Sequence, residues 1–327
     1  MICSAWIEGV STRKVDDLVK ALGNESGISR STVSRICKDI DEGVHEFLAR
    51  RLDHTWFPYL FVDATYLDVR AGHRVVCRAL VVATGVSAQG RREILGMALG
   101  DAETTDFWTS FLRSLRERGL KVPSPHDPEG VVLVTSDAHA GIRAAVRAIL
   151  PGASWQRCRV HFARNITSRL GSARSKPVNA LVSTIFAQTT PEAVAAQYKH
   201  VIDTLRDAFP EIAQMLKDAE PDLTAFAAFP REHWTKIWSN NPIERLNREI
   251  KRRADVVQVF PDSDSARPLI GSALPEQRGV AVRRTPLPVP GLTATPDRHA
   301  PGRQQHRRPP RPAPHHHLTE RTPHQET

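Results

Sequence analysis

The stretch Tyr59-Leu-Phe-Val-Asp63-Ala-Thr-Tyr-Leu-Asp-Val-Arg70 decides the fold class of this chain. Its aromatic and branched residues, which follow Pro58, predict a β-strand. Because the run is apolar with few polar breaks, we expect a central strand that is covered on both faces. Asp63 lies inside this run, and a carboxylate among core residues is costly unless a cation or a metal ion pairs with it. A partly exposed Asp near a strand end is the alternative, so other segments must decide.

The composition describes a globular domain with a basic C-terminal segment. The 327 residues are enough for one large domain or two smaller ones, and 40% of them are hydrophobic. The formal charge of +9 indicates a polyanionic partner. Residues 278–327 contain nine Arg, no Lys and three acidic residues, a net charge of +6, so the other 277 residues carry only +3.

The same C-terminal segment differs from the rest in its apolar content. It contains ten of the 24 Pro and six of the 14 His, and it lacks Ile, Phe, Tyr, Trp, Met and Cys. Such a segment cannot bury enough apolar surface to offset its ordering entropy, so we predict a disordered tail. Arg, Pro, His, Gly and Ala are also what GC-rich DNA encodes when it is read out of frame. A frameshift near residues 267–278 and a genuine basic arm therefore both explain this tail.

Cysteine usage and hydropathy predict a cytoplasmic protein with no membrane partner. The four cysteines are widely spaced and form no CxxC pair, which fits a reducing compartment. The N-terminus has neither the basic nor the apolar region of a signal peptide. The longest apolar stretch, at residues 75–86, is interrupted by Arg78 and is too short to span a bilayer.

Two short amphipathic helices are predicted near the N-terminus. Apolar residues recur at helical spacing in residues 11–22 and again in residues 29–38, with Gly23 between them. This pattern is typical of a helix-turn-helix whose second helix enters the DNA major groove, and a plain helical hairpin is the alternative. The candidate DNA contacts on the second helix are Arg30, Ser31, Thr32 and Arg35.

The central region predicts an α/β fold with a ribonuclease H-like order of elements. Strand signals at residues 74–84 and 92–99 follow the first strand after short connections, which predicts antiparallel hairpins. A helix (101–118), a fourth strand (131–135), a second helix (138–150) and a fifth strand (153–159) come next. We therefore expect a mixed sheet with helices on its faces. Residues 163–237 show no strand signal and predict an all-helical insertion.

Asp137 follows the fourth predicted strand, at the sheet edge where α/β proteins gather ligands. On this segment alone, a role as the cap of the next helix is favoured. If the fourth strand lies beside the first, however, Asp137 comes close to Asp63. A divalent cation would then relieve the repulsion between the two carboxylates.

Glu244 also has two interpretations. Asn241 is a predicted N-cap with Pro242 at the first helical position, so Glu244 falls where it closes a capping box. Glu244, Asn247 and Lys251 nevertheless share a helix face separate from the apolar one. From that face Glu244 could cap its helix and also point into a metal site.

Four motifs together resemble the mutator-type transposases of bacterial insertion sequences. They are Asp63-Ala-Thr-Tyr, Ser136-Asp137-Ala-His-Ala-Gly, Trp155-Gln-Arg-Cys158-Arg-Val-His161-Phe-Ala-Arg-Asn165, and Asn241-Pro-Ile-Glu244-Arg-Leu-Asn247-Arg-Glu-Ile-Lys-Arg-Arg253. The resemblance covers about residues 9–277. It implies a helix-turn-helix segment (1–50), the first part of a ribonuclease H-like core (51–162), a helical insertion (163–237), and a closing helix that carries the Glu (238–277), before the tail (278–327).

The resemblance implies a DDE enzyme that cleaves DNA and transfers strands. Asp63, Asp137 and Glu244 become the catalytic, metal-holding triad for two Mg²⁺ ions about 4 Å apart, with Mn²⁺ as a substitute. Double-stranded DNA, both terminal inverted repeats and target, is the implied partner of a homo-oligomer at the bacterial nucleoid. The implied phosphate contacts, for which a solvated basic helix end is the alternative, are Asn247, Arg248, Lys251, Arg252 and Arg253.

The resemblance gives His139, Cys158 and His161 supporting positions. Cys158 and His161 match the CxxH element of the family. Structural zinc would need two further ligands nearby, which the sequence does not offer. We therefore expect a packed Cys and a His that orients the active-site loop or touches DNA.

The chain departs from the family pattern at both ends. Family members have a longer region before the helix-turn-helix and further helices after residue 277, where this chain has its Pro/Arg tail. We expect a transposase truncated at the front and frameshifted at the back. Two alternatives stay open: a non-catalytic DNA-binding remnant that inhibits transposition, and a ribonuclease H-like nuclease without strand transfer.

Overall fold

The computed structural model describes residues 30–260 and, beyond them, Ser263, Ala266, Ile270 and Gly271. The first predicted helix of the helix-turn-helix (11–22) and the predicted tail (278–327) lie outside the described residues. Helix α1 (Arg30–Ala49) extends well past the predicted end at residue 38 because its later turns bury apolar side chains, Val44 and Phe47. The side chains of residues 30–37, which include the four candidate DNA contacts of this helix, are outside the description as well.

Five strands form one mixed sheet in the order β3-β2-β1-β4-β5, as the mixed-sheet prediction requires. β1 pairs antiparallel with β2, and β2 pairs antiparallel with β3. β4 lies parallel to β1 on its other side and parallel to β5. The strands are β1 (Tyr59–Ala71), β2 (Arg74–Val86), β3 (Arg92–Gly100), β4 (Leu133–Ser136) and β5 (Ser154–Arg157).

β1 is central, but only its first half is covered on both faces. Residues 59–62 are fully buried, whereas exposed positions alternate with buried ones from Tyr66 onward. The prediction of an entirely covered strand is therefore wrong for the second half. The reason is the length of β4, which pairs with β1 only from Tyr59 to Phe61 and leaves the remaining β1–β2 hairpin to extend beyond it.

Helices α2 (Thr105–Glu117) and α3 (Ala140–Ile149) pack together on one face of the sheet. Their apolar stripes meet the side chains of Leu60 and Val62 in a continuous core. Thr104 caps α2 by accepting a hydrogen bond from the backbone N–H of Phe107 at 3.1 Å.

The chain between β5 and the closing helix is entirely helical. It contains α4 (Arg159–Ser183), α5 (Pro191–Leu205), α6 (Pro210–Leu223), the one-turn α7 (Trp234–Ile237) and short 3₁₀ turns. The apolar residues of α5 recur at helical spacing and are buried: Val194, Tyr198, Val201 and Leu205. The core of this helical block continues to Tyr59 and Phe61 of β1. The block therefore packs on the sheet face opposite α2 and α3.

The closing helix, α8 (Asn241–Val257), lies against the far half of β1. Its predicted apolar face is confirmed, because Ile243, Leu246 and Ile250 are buried. Leu246 and Ile250 share a core cluster with Leu67 and Val69 of β1. The polar face of α8 is thereby directed along the middle of β1, next to Asp63. No described helix is both long and apolar enough to cross a membrane.

Candidate active site

Strand register brings Asp63 and Asp137 together. Phe61 of β1 pairs with Thr135 of β4 in a parallel ladder. Asp63 and Asp137 each follow two residues later, Asp63 within β1 and Asp137 directly after the end of β4. Because side chains alternate along a strand, the Asp63 carboxylate lies on the same sheet side as Phe61, which faces the helical block. The charge of Asp137 is near enough to act on this carboxylate. Because β4 lies beside β1, Asp63 and Asp137 come close together, as predicted for this strand order.

The environment of Asp63 opposes its ionisation. Burial raises the pKa of the Asp63 carboxyl group from 3.8 to about 7, and the negative charge of Asp137 adds to the rise. A hydrogen bond from Asn240 acts in the opposite direction. A bound cation would relieve the repulsion between the carboxylates of Asp63 and Asp137.

Two amide side chains from the last part of the chain hold Asp63. Asn247 on α8 donates to Asp63 Oδ2 from Nδ2 at 2.5 Å. Asn240 donates from its Nδ2 to the carbonyl of Val62 at 3.0 Å and to Asp63 Oδ1 at 3.4 Å. The orientation of the Asp63 carboxylate is therefore determined by residues more than 170 positions away in sequence.

The structure assigns the cap of α3 to His139. The ring Nδ1 of His139 accepts a hydrogen bond from the backbone N–H of Gly141 at 3.2 Å, and α3 begins at Ala140. Asp137 Oδ1 accepts only from the backbone N–H of His139, at 3.3 Å, among the described residues. The prediction that Asp137 caps this helix is wrong because the helix starts two residues later than its sequence pattern indicates.

The capping box predicted for Glu244 is also wrong. The residue before the helix is Asn240, which makes no side-chain cap hydrogen bond because its amide is used on Val62 and Asp63. Glu244 instead accepts a hydrogen bond from Arg164 of α4, with 3.4 Å between Oε1 and Nη2. Its carboxylate lies on α8 one turn before Asn247.

Within the described part of the chain, no group of three or more His, Cys, Asp or Glu side chains is arranged to hold a metal ion. The structure thus brings two of the three predicted ligands together and leaves Glu244 beside Arg164. The donor chemistry at Asp63 still fits a hard cation, which prefers oxygen ligands. Besides the two carboxylates, the amide oxygens of Asn240 and Asn247 are buried and have no hydrogen-bond partner among the described residues.

Cys158 and His161 lie beside this pair and fit the predicted packed Cys. Cys158 is buried at the start of α4, where its Sγ accepts a hydrogen bond from the backbone N–H of Asn240 at 3.3 Å. A hydrogen bond with Cys158 raises the pKa of His161, and the charge of Asp137 raises it further. Cys158 therefore anchors the segment that supplies Asn240 to Asp63.

The class of protein follows from comparison with known sequences. Residues 1–279 match the family described as "Transposase, Mutator family". The chain belongs to this family. It is 46% identical over 277 residues, 85% of its own length, to the transposase for insertion sequence element IS1081 of Mycobacterium tuberculosis.

Two further relatives are less similar to the chain in sequence. The chain is 36% identical over 84% of its length to the transposase for IS406 of Burkholderia multivorans, covering 69% of that protein. It is 35% identical over 82% of its length to the transposase for IS256 in transposon Tn4001 of Staphylococcus aureus, covering 67% of that protein. It spans 65% of the IS1081 transposase. The mutator-family chain therefore spans about two thirds of the length of the curated relatives that it matches.

The basic end of α8 in this mutator-family chain faces solvent. Arg248, Lys251 and Arg252 are exposed, and the side chain of Arg253 lies outside the description. Arg252 is paired with Glu249 on the same helix at 2.8 Å. Asn247, which was predicted to contact DNA, is bound to Asp63 in this structure. The predicted phosphate contacts stay predictions.

Sequence reasoning missed three residues of the site in this mutator-family chain: Glu103, Arg164 and Asn240. Glu103, in the polar loop before α2, accepts a hydrogen bond from the hydroxyl of Tyr66 at 2.6 Å, which raises the pKa of Tyr66 to about 12. Its charge also raises the pKa of Asp63. Only Asn240 had a local sequence signal, because either residue of the Asn240–Asn241 pair could have been the N-cap of α8. Glu103 and Arg164 had no periodic signal at all.

Proposed function

We propose that this chain is the catalytic part of an insertion-sequence transposase that cleaves DNA and joins element ends to target DNA. The observation that carries the proposal is the parallel β1–β4 ladder, which ends at Phe61 and Thr135, two residues before Asp63 and Asp137. The strand order β3-β2-β1-β4-β5, with three antiparallel strands followed by two parallel ones, is the order expected of a ribonuclease H-like core. Membership of the mutator family supports the same reaction class.

The metal ligands in this proposal are Asp63, Asp137 and Glu244. Two Mg²⁺ ions, or Mn²⁺ in their place, would activate the attacking water or 3′-hydroxyl and stabilise the leaving oxygen. Asn240 and Asn247 hold the carboxylate of Asp63 in one orientation, and the anchored segment after Trp238 fixes both amides. Hydrolysis of one phosphodiester leaves a 3′-hydroxyl at the element end. That hydroxyl attacks a target phosphodiester, forms a new P–O bond and releases a target 3′-hydroxyl.

The DNA partner is recognised in two ways under this proposal. The segment at residues 1–50 reads the terminal repeats as a helix-turn-helix, and the exposed cations of α8 contact the phosphate backbone. Transposition brings two element ends together, so we propose a homo-oligomer on DNA. The family assignment supports DNA as the partner, and the surface position of Arg248 and Lys251 supports the phosphate contacts.

The test is Mg²⁺-dependent joining of a pre-cleaved end, taken from the DNA that flanks the gene, to a target plasmid. The variants are Asp63→Asn, Asp137→Asn and Glu244→Gln. Each should lower joining by more than about 100-fold, since even loss of a residue that only orients a metal ligand costs 10–100-fold. Affinity for the duplex should stay within about threefold of the wild-type value.

Matched controls come from exposed acids of the helical block. Asp207→Asn and Glu192→Gln make the same chemical changes on exposed positions and should retain full activity. An Asp137→Asn protein that joins DNA at nearly the wild-type rate would overturn the triad. A wild-type chain that cleaves without joining would be a nuclease, and one that only binds DNA would be a non-catalytic DNA-binding protein.

A further inference from the structure

Arg164 is a cation at the edge of the acidic site that the triad does not use. It lies on α4 three residues after His161, so the two side chains are on the same helix face. Its Nη2 is 3.4 Å from Glu244 Oε1, and the two side chains are 63% and 39% exposed. The guanidinium group is therefore open to solvent on one side and faces a proposed metal ligand on the other.

Arg164 and Asp137 also act electrostatically on the same neighbouring side chain, His161. The pKa of His161 is raised by Cys158 and by the charge of Asp137, and it is lowered by the charge of Arg164. The imidazole thus lies within electrostatic range of both groups. Since Glu244 is one turn from Asn247, which holds Asp63, Arg164 borders the acidic site from the α4 side.

The Arg164–Glu244 pair is easy to separate. Ion pairs between exposed side chains change an equilibrium by no more than about fivefold. This stabilisation is small, so a metal ion that binds Glu244, or a phosphate that binds Arg164, would displace the ion pair. The planar guanidinium group binds a phosphodiester through two parallel hydrogen bonds, which an ammonium group cannot do.

We propose that Arg164 binds a phosphate of the DNA strand that enters the acidic site, and that Glu244 occupies this guanidinium until DNA and metal arrive. The proposal rests on the proposed function, because it takes DNA as the ligand. The pair then has two uses. It keeps Glu244 from repelling the Asp63–Asp137 pair, and it holds Arg164 at the position where a phosphate is bound.

The experiment compares Arg164→Ala and Arg164→Lys with the wild-type chain of 327 residues. One measurement is the affinity for a fluorescein-labelled DNA duplex of mixed sequence over a range of salt concentrations, without divalent metal. The other is the affinity for Mn²⁺ in the absence of DNA. Arg147→Ala is the control, because Arg147 is an exposed arginine in the last turn of α3.

Arg164→Ala should weaken duplex binding and reduce the log–log salt slope by about 0.9, the value for one lost phosphate contact. The same variant should bind Mn²⁺ two- to fivefold more tightly, because a competing positive charge is removed. Arg164→Lys should keep the wild-type Mn²⁺ affinity and recover only part of the duplex affinity. Arg147→Ala should change neither measurement.

Two results would overturn the role of Arg164. One is an unchanged salt slope in Arg164→Ala. The other is a parallel loss of duplex and Mn²⁺ affinity, which would show that the ion pair only ties α4 to α8. Failure of the proposed function gives a different pattern, in which Asp63→Asn binds Mn²⁺ as well as wild type does. The salt slope still reports on Arg164 in that case.

Discussion

Asp63 shows how single residues set the properties of this site. Its carboxylate is half-buried, faces Asp137, and is close enough to Glu103 for that charge to act on it. The two amide donors that reach it, from Asn240 and Asn247, stabilise the charged form but do not cancel the cost of burial. The residue is therefore protonated more readily than an ordinary Asp.

This raised pKa predicts a pH-dependent stability. The folded-state value of about 7 exceeds the ordinary value of 3.8, so the folded chain binds the proton more tightly than the unfolded chain does. The stabilising contribution is complete below about pH 4 and is lost as the pH rises to about 7. Asp63→Asn removes the titration and should melt a few degrees higher than wild type at pH 8, but not at pH 4.

Thermal unfolding followed by circular dichroism at pH 4, 6 and 8, without divalent metal, tests this prediction. Asp207→Asn, an exposed site, serves as the control and should follow wild type at every pH. A difference between Asp63→Asn and wild type that is constant from pH 4 to pH 8 would contradict the raised pKa.

At the scale of elements, the start of α8 and the segment before it connect strand β1 to the start of α4. The backbone N–H of Asn240 donates to Cys158 at the start of α4, and its side chain donates to Val62 of β1. The backbone N–H of Arg159 donates to the carbonyl of Trp238 at 3.0 Å. These hydrogen bonds fix the start of α8 and, through it, the position of Glu244 and Asn247.

Asn240→Ala tests this connection. Asn240 is 1% exposed, and its loss removes a donor from the buried carbonyl of Val62. Loss of one partner of a buried hydrogen bond costs about 1–3 kcal/mol, so the melting temperature should fall by several degrees. Asn241→Ala is the matched control, because Asn241 is exposed at the first position of α8. If Asn241→Ala were the more destabilising change, the sequence-based assignment of the cap would be correct instead.

At the scale of the whole molecule, positive charge is unevenly distributed along the chain. Residues 278–327 carry nine Arg and a net charge of +6 out of the total of +9. The family match covers residues 1–279. Charge of this kind adds affinity for any DNA through counterion release, without reading its sequence.

Deletion of residues 278–327 should therefore weaken non-specific DNA binding and flatten its salt dependence. Each phosphate contact that is lost lowers the log–log slope by about 0.9. The melting temperature of the remaining chain and its preference for an element end over random DNA should not change. Fluorescence anisotropy with both duplexes measures this. Loss of the preference for the element end would show instead that the C-terminal segment reads sequence.

Local sequence patterns determined most of the elements of this protein. Strand β1, the two hairpins, and the buried faces of α5 and α8 follow from two-residue and 3.6-residue periodicity, which depends on near neighbours only. The proximity of Asp63 and Asp137 was also predictable once the strand order was assumed. These patterns can be recognised in the sequence because the regular backbone geometry of a strand or helix directs its apolar side chains to one face at a fixed spacing.

The capping residues and the partners of Asp63 and Glu244 depend on the tertiary structure. Sequence placed caps at Asp137 and Asn241, but His139 takes the first role and Asn240 precedes α8 with its amide bonded to Val62 and Asp63. At the start of α8, the distant hydrogen-bond partners of Asn240 keep its amide from capping the helix. The Arg164–Glu244 pair joins residues 80 positions apart. No periodicity encodes such a contact, because it exists only when the sheet and the helical block are packed together.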